Sequence, residues 1–294
     1  LGNKNWIAEW MYQYAGTGRT YYAGIGIDTA LMAANDVICQ GALPVIYTDE
    51  VAAGDSEWFA DEKRSRDLAE SFYQACEMCG MALPAGESPA LRYLVKAEPP
   101  VHSAPSLSGC VTGIIAPRSR EVTGEKLSVG DHIIGVTSAG LHANGISLVI
   151  KRALALKDKF LHPMPNGKTL GEEALIPTRS YVRLVEALQE KNIEIHSLLG
   201  GTGGGISKIA YAKRAFTYRV KKWVDEVPPL FRFMLEVGVS LKDCLTTFNW
   251  GIGFYVFVPE KEVDRTIKMG KKVGYDLIDL GQVEAGERCV VFEP

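Results

Sequence analysis

Apolar positions along this chain recur in two spacings, one near four residues and one near two, and the changes between them outline its elements. From Asn5 to Ala15 the spacing is helical, with Trp6 and Trp10 four apart on one face. Gly16-Thr17-Gly18 turns the chain. Asp28 reads as a helix N-cap; small and apolar residues carry that helix through Asn35-Asp36, and Gly41 ends it. Val45 to Val51 has strand character, and Asp61 to Gly80 is a long amphipathic helix. Ala82-Leu83-Pro84 leads into a small-residue turn, Ala85-Gly86-Glu87-Ser88, and Ser106 to Ile115 reads as a buried strand. The polar run Pro117-Arg118-Ser119-Arg120 breaks the pattern, which places a domain boundary there and predicts domains 1–117 and 118–294.

The second half repeats a strand, loop and helix. A turn at Gly130-Asp131-His132 precedes an apolar strand, Ile133 to Thr137, then the loop Ser138 to Gly145 and a helix from Ile146 to Leu156. A strand from Glu194 to Leu199 runs into the glycine loop 200–205 and a helix beginning at Ile206. Phe248 to Val258 and Leu277 to Phe292 read as a strand pair separated by a helix from Glu260 to Val273. Strands and helices alternate without a long repeat, so the expected class is α/β with mixed sheets.

Composition narrows the function. With 294 residues, 47% of them hydrophobic, the chain can build large cores, and two domains are the prior. A net charge of −3 with dispersed Lys and Arg argues against a general electrostatic grip on nucleic acid. No apolar run reaches transmembrane length and no basic-then-apolar leader opens the chain, so a soluble, cytoplasmic protein is expected. Six cysteines in a chain this long do not make a disulfide framework. Cys76 and Cys79 fall inside a helical pattern and read as two reduced thiols on a packed face.

Several residues could carry chemistry. Asp36 stands among Ala34, Val37, Ile38 and Cys39, and an acid buried there costs several kcal/mol unless a cation meets it. A divalent metal is the simplest such partner, and Mg²⁺ takes one or two carboxylates with phosphate oxygens. Asp28 and Asn35 lie seven apart, nearly on one helix face, although Asp28 can be read as a plain cap. Five of the six residues Gly200-Gly201-Thr202-Gly203-Gly204-Gly205 are glycine, between a strand and a helix, where backbone N–H groups can converge on a phosphate. A flexible turn is the alternative. His142 and Asn144 stand between a strand and a helix, as a phosphate donor or proton carrier and an amide-orienting group, or as a satisfied surface His and a cap. Glu87 is a second acid in a small-residue turn, and Asn249, in Phe248-Asn249-Trp250-Gly251-Ile252-Gly253, is a polar contact or part of a β-bulge.

Together these segments resemble the aminoimidazole ribonucleotide synthetase family (phosphoribosylformylglycinamidine cyclo-ligase). The carriers are Gly26-Ile27-Asp28 through Asn35-Asp36, Gln40 to Pro44, Thr137 to Leu148, Pro177-Thr178-Arg179, Thr202 to Gly205 and Thr247 to Gly253, in the family's order. The resemblance implies two α/β domains, ATP and Mg²⁺, a small ribonucleotide substrate, and a homodimer whose N-terminal domains join their sheets into a barrel. By similarity, His142, Asp36 and Lys4 are the catalytic set, with Asp36 at the metal. Lys4, Asp28, Asn35, Asp36 and Glu87 contact ATP. Asn144, Gly201, Thr202, Gly203, Gly204, Gly205 and Asn249 hold substrate and phosphate. Kinship extends to ATP-using kinases and synthetases, so another substrate, or a homologue that binds nucleotide without turnover, stands as the rival reading. The family carries a further stretch ahead of the position of Leu1, with a glycine-rich flap and an acid, and Leu1 to Lys4 reads as an interior stretch. Asn3 stands where the family has Thr, Ser88 to Tyr93 replace its Thr-Ala-Glu-Met-Pro-Gly, and Leu141 replaces the Pro before the His. These departures fall at the substrate end more than at the ATP end.

Overall fold

The computed structural model describes residues 1–294. The chain forms two compact units: residues 1–34, 44–112 and 140–178 make one, and 35–43, 113–139 and 179–294 make the other. Spatial compactness therefore partitions the chain differently from a single cut at 117/118, because the stretch 140–178 joins the first unit.

The first unit holds α1 (Asn3–Tyr14), most of α2 (Ile25–Val37), most of β1 (Leu43–Ala52), α3 (Glu62–Cys79), β2 (Ala82–Glu87), most of β3 (Ser106–Ile114), α4 (Ile146–Leu154) and α5 (Leu170–Ala174). Trp6 and Trp10 do share a face: both rings pack on Phe160, with centroids 6.0 and 5.0 Å away. α3 starts at Asp61, whose carboxylate accepts from Arg64 N at 3.0 Å, and ends at left-handed Gly80. Leu68, Phe72, Ala75, Cys76 and Cys79 form its buried stripe at helical spacing. Burial lifts the Cys76 thiol to about 11, with Cys79 beside it adding to the rise, so it stays protonated as a packing group.

The strands form a three-stranded sheet in the order β2-β1-β3. β2 runs parallel to β1, with Ile46 opposite Ala82 and Glu50 opposite Glu87. The expectation of a buried strand over 106–115 is corrected: β3 is exposed at most positions, and β2 at every one. An apolar strand is buried only where something covers it, and here Ile46, Leu83 and Ile114 stay exposed. Glu87 closes strand β2 and does not sit in a turn.

The second unit is built on a six-stranded sheet. Its strands are β4 (His132–Thr137), β5 (Ser197–Gly200), β6 (Phe216–Val220), β7 (Ile252–Val258), β8 (Leu277–Ala285) and β9 (Cys289–Phe292), in the order β5-β7-β4-β8-β6-β9. All pairings are antiparallel except β6 with β9. β7 reads Ile-Gly-Phe-Tyr-Val-Phe-Val and is buried throughout, as an unbroken apolar run in a sheet interior must be. Between Val136 and Thr137 the register slips by one residue on the β7 side, a bulge at Gly253. The helices are α6 (Val182–Glu190), α7 (Pro229–Glu236), α8 (Leu241–Thr247) and α9 (Val263–Lys272). Sequence periodicity did not separate α6, α7 and α8, which span only two or three turns. The strand expected over 277–292 divides into β8 and β9, since the turn at Gly286 interrupts it. No helix is long and apolar enough to cross a membrane.

A buried polar cluster joins α1 and α3 to the loop that carries Tyr22 and the 3₁₀ turn that carries Trp58 in the first unit. Arg64 donates to Glu9 at 2.6 Å, Tyr22 OH donates to the other Glu9 oxygen at 2.8 Å, and the guanidinium lies 4.4 Å from the centroid of the Trp58 ring. Glu9→Ala strands this buried arginine. A loss of about 3–5 kcal/mol is expected in urea unfolding, against less than about 0.5 kcal/mol for an exposed control such as Glu70→Ala.

Candidate active site

The helix thought to start at Asp28 starts three residues earlier, at Ile25, so Asp28 is in its first turn and is not its N-cap. Gly41 closes the 3₁₀ turn after it with a φ of 78°, as expected. Asp28 is fully buried and faces Lys4, also fully buried, at 2.8 Å. Lys4 Nζ donates as well to Ile176 O at 2.7 Å and His142 O at 3.2 Å, so its three protons are all engaged. Thr178 donates to the other Asp28 oxygen through its N–H at 2.8 Å and its hydroxyl at 2.5 Å. Burial lowers the Lys4 ammonium from its ordinary pKa and raises the Asp28 carboxyl; each partner's charge opposes the shift of the other. The lysine and the acid that the family resemblance puts against ATP are thus sealed against each other. His142 is buried in the same unit with a φ of 58°, rare for a residue with a side chain. Asn144 is half-buried two residues on, ahead of left-handed Gly145.

Asn35 and Asp36 sit in the second unit. Asn35 is a clip: its amide donates to Arg179 O at 2.9 Å and accepts from Tyr181 N at 3.0 Å. Asp36 is exposed, not sunk among alkyl groups. The buried face of α2 runs through Leu31, Ala34 and Asn35 and on to Ile38, and the 100° turn per residue carries position 36 off it. The carboxylate opens on a cleft of about 840 Å³, walled by Cys39, Gly200, Lys208, Arg214 and Tyr218 among others. Gly200 leaves room there: a side chain at 200 would begin 3.5 Å from an Asp36 oxygen. Water removed by the cleft wall still holds the Asp36 carboxyl above its ordinary range, and Lys208 pulls the other way. Cys39 donates to Asn35 O at 3.3 Å, and burial with the Asp36 charge pushes its thiol up to about 12, so it is no nucleophile.

The glycine loop lies beside Asp36, but its glycines have different reasons. At Gly201 a side chain would meet Ile252 O at 2.5 Å, and at Gly205 it would meet Leu245 O at 2.0 Å, so both are demanded by packing. Gly203 and Gly204 are the exposed part of the loop, and Thr202 is half-buried. The helix expected from Ile206 is a short 3₁₀ turn, Gly205–Ala210. Lys208 on that turn donates to Thr202 O at 2.6 Å. No motif in the sequence points to Lys208; its place after the glycine loop is the one signal for it. Asn249 accepts from Ser138 Oγ and from Gly251 N, each at 2.9 Å, and so shapes the turn into β7. Glu87 lies on the exposed sheet of the first unit, which therefore groups Lys4, Asp28 and the His142 backbone but not Glu87 with them. No group of three or more His, Cys, Asp or Glu could hold a metal by itself. A lone Asp36 does fit a cation whose remaining ligands come from phosphate and water.

The Lys4–Asp28 pair has a pH signature. In Lys4→Met the Asp28 carboxyl loses its cation, and burial then raises its native pKa further above the unfolded value of about 3.9. Below that unfolded value both states hold the proton and little is lost. As pH rises, the unfolded carboxyl ionises freely while the native one cannot, so the variant weakens. Urea melts should show a deficit of about 3–5 kcal/mol near neutral pH that shrinks toward about pH 4.

Two family models match the chain: AIR synthase related protein, N-terminal domain, over residues 14–115, and its C-terminal domain over 128–293. Curated relatives named phosphoribosylformylglycinamidine cyclo-ligase are similar along most of the chain. That of Clostridium perfringens is 32% identical over 272 residues, 92% of this chain and 77% of the relative. That of Pyrococcus horikoshii is 33% identical over 88% of this chain and 72% of the relative. Among solved structures, E. coli HypE, a hydrogenase maturation protein, aligns with a TM-score of 0.63 at 16% identity, over 90% of this chain and 75% of that one. AaThiL, solved complexed with AMPPCP and TMP, aligns at 0.59 and 16% identity, over 92% and 76%. These two share the fold. With both family models and relatives above 30% identity spanning most of its length, the chain belongs to the AIR synthase related family, alongside the phosphoribosylformylglycinamidine cyclo-ligases.

Proposed function

We propose that this protein is an ATP-dependent cyclo-ligase that closes formylglycinamidine ribonucleotide to aminoimidazole ribonucleotide in purine biosynthesis. The observation that carries this is the similarity to cyclo-ligases over 92% of the chain, at 32% identity. In the reaction the γ-phosphoryl of ATP passes to the formyl amide oxygen and ADP leaves. The amidine nitrogen attacks that carbon and gives up its proton. The C–O bond then breaks, and inorganic phosphate departs with the oxygen. Such chemistry needs positioning and charge neutralisation more than covalent help.

Asp36 is the group assigned to the metal–phosphate end, supported by its exposure on the cleft wall. Mg²⁺ arriving with ATP would take Asp36 as a ligand and neutralise phosphate charge. The loop Gly201 to Gly205 offers backbone donors for a phosphate, and its exposed pair Gly203-Gly204 supports that role. Lys4 and Asp28, committed to each other, are assigned to holding the His142 loop and the 176–178 segment, with ATP contact only through that frame. Asn35 and Asn249 act likewise as braces. His142 serves the transferring phosphoryl or a proton and Asn144 orients substrate amide, a reading supported by the left-handed backbone at His142. Glu87, on the exposed sheet, goes with subunit pairing better than with ATP. The exposed apolar residues Ile46, Leu83 and Ile114 on β1, β2 and β3 support a homodimer joined through these sheets. The domains are read as 1–117 and 118–294, and the site of action is the cytoplasm.

Release of ADP, followed with formylglycinamidine ribonucleotide present and absent, tests the activity; no substrate-dependent release would overturn it. Asp36→Asn is expected to lower kcat/KM by about 10²-fold or more while its Tm moves by less than about 2 °C.

A further inference from the structure

Three cations line the Asp36 cleft, Lys208, Lys213 and Arg214, and Lys208 is the one held by the glycine loop. Lys208 projects from the 3₁₀ turn that follows the glycine loop, and its ammonium is anchored by one hydrogen bond, to Thr202 O at 2.6 Å. That partner is a neutral carbonyl, so the contact orients the charge without cancelling it. An ammonium has three protons, and two are left over. Lys208 and Asp36 line the same cleft, and the two influence each other through space without the close contact that Lys4 makes with Asp28. Arg214, another cation of the wall, is anchored through one guanidinium nitrogen to Leu127 O at 2.6 Å and Glu125 O at 3.2 Å, and it packs over the Phe216 ring with 4.7 Å to the centroid. A phosphoryl group entering beside Asp36 meets a carboxylate of its own sign. A fixed positive charge in the same cleft, held by the loop that borders it, offsets that repulsion.

We propose that Lys208 is a phosphate-binding residue of the Asp36 cleft, its two free N–H donors engaging phosphoryl oxygens of the nucleotide bound there. The assignment rests on the ATP-dependent reading and deepens it. A triphosphate and the 5′-phosphate of a ribonucleotide offer the same phosphoryl oxygens, and the test separates them.

Isothermal titration of the full chain with AMPPCP and, separately, with ribose 5-phosphate tests the role in wild type, Lys208→Met and Lys208→Arg. Lys208→Met should bind at least one probe about 10- to 100-fold more weakly. Lys208→Arg should retain affinity within about 3-fold, because it keeps the charge. Weakening confined to AMPPCP assigns Lys208 to the triphosphate, and weakening confined to ribose 5-phosphate assigns it to the sugar phosphate. The wild-type to Met affinity ratio should also fall as salt rises, which a purely structural lysine would not produce. Should Lys208→Met lose its cooperative melt, Lys208→Gln takes its place. Equal affinity of wild type and Met for both probes overturns the assignment of Lys208 alone. Failure of the wild type to bind either probe overturns the nucleotide reading beneath it.

Discussion

The buried pair of Lys4 and Asp28 is the constraint on which the first unit's polar frame depends. Two opposite charges with no exposed surface are costly to desolvate, by several kcal/mol each, and their attraction offsets this only when every remaining proton and lone pair is engaged. Ile176 O and His142 O engage the ammonium and the Thr178 N–H and hydroxyl engage one carboxylate oxygen, while the other oxygen has only the ammonium beside it, at 2.8 Å. The pair therefore determines more than its own geometry. It ties the start of α1 and the first turn of α2 to two segments about 140 and 170 residues away along the chain, 142 and 176–178. His142, with a left-handed backbone that few side chains accept, is held by one of these bonds.

α2 carries a second brace and one group left free of bracing. Asn35 uses both ends of its amide on backbone groups of Arg179 and Tyr181, one and three residues past Thr178. Thr178 belongs to Asp28 and Arg179 to Asn35, so this short stretch is stitched to α2 at two points seven residues apart on the helix. Asp36 follows Asn35 but looks elsewhere. One residue is 100° of rotation, enough to move from a buried polar brace to the wall of a cleft.

The cleft is electrostatically mixed. Its carboxylate is held partly protonation-prone by lost hydration, and Lys208 opposes that shift through space. Cys39, within the same wall, is silenced by burial and by the same carboxylate. The glycine loop borders it because Gly201 must pass close to Ile252 O and Gly205 close to Leu245 O. Loop position is thereby set by packing on β7 and α8, while Gly203 and Gly204 stay open to a ligand.

Local chemistry was legible in the residues alone. The helical and strand periods, the Trp6–Trp10 face, the Gly41 terminus, the buried thiols of α3, the strand–glycine loop order and the family likeness all follow from near neighbours in sequence. What escaped was whether particular surfaces are covered by something distant in sequence. Apolar β3 looked buried and is exposed, since sequence does not say what lies over a sheet. Asp36 looked buried and opens on a cleft, since its apolar neighbours turn away from it on the helix. Asp28 looked like a cap or a ligand and is half of an ion pair, because its partner lies 24 residues earlier and is brought to it only by folding. The sequence by itself determined the elements and the family, since these are written in short-range pattern. Only the tertiary structure decided which charges meet each other and which face the cleft, because desolvation and pairing are settled between residues far apart along the chain.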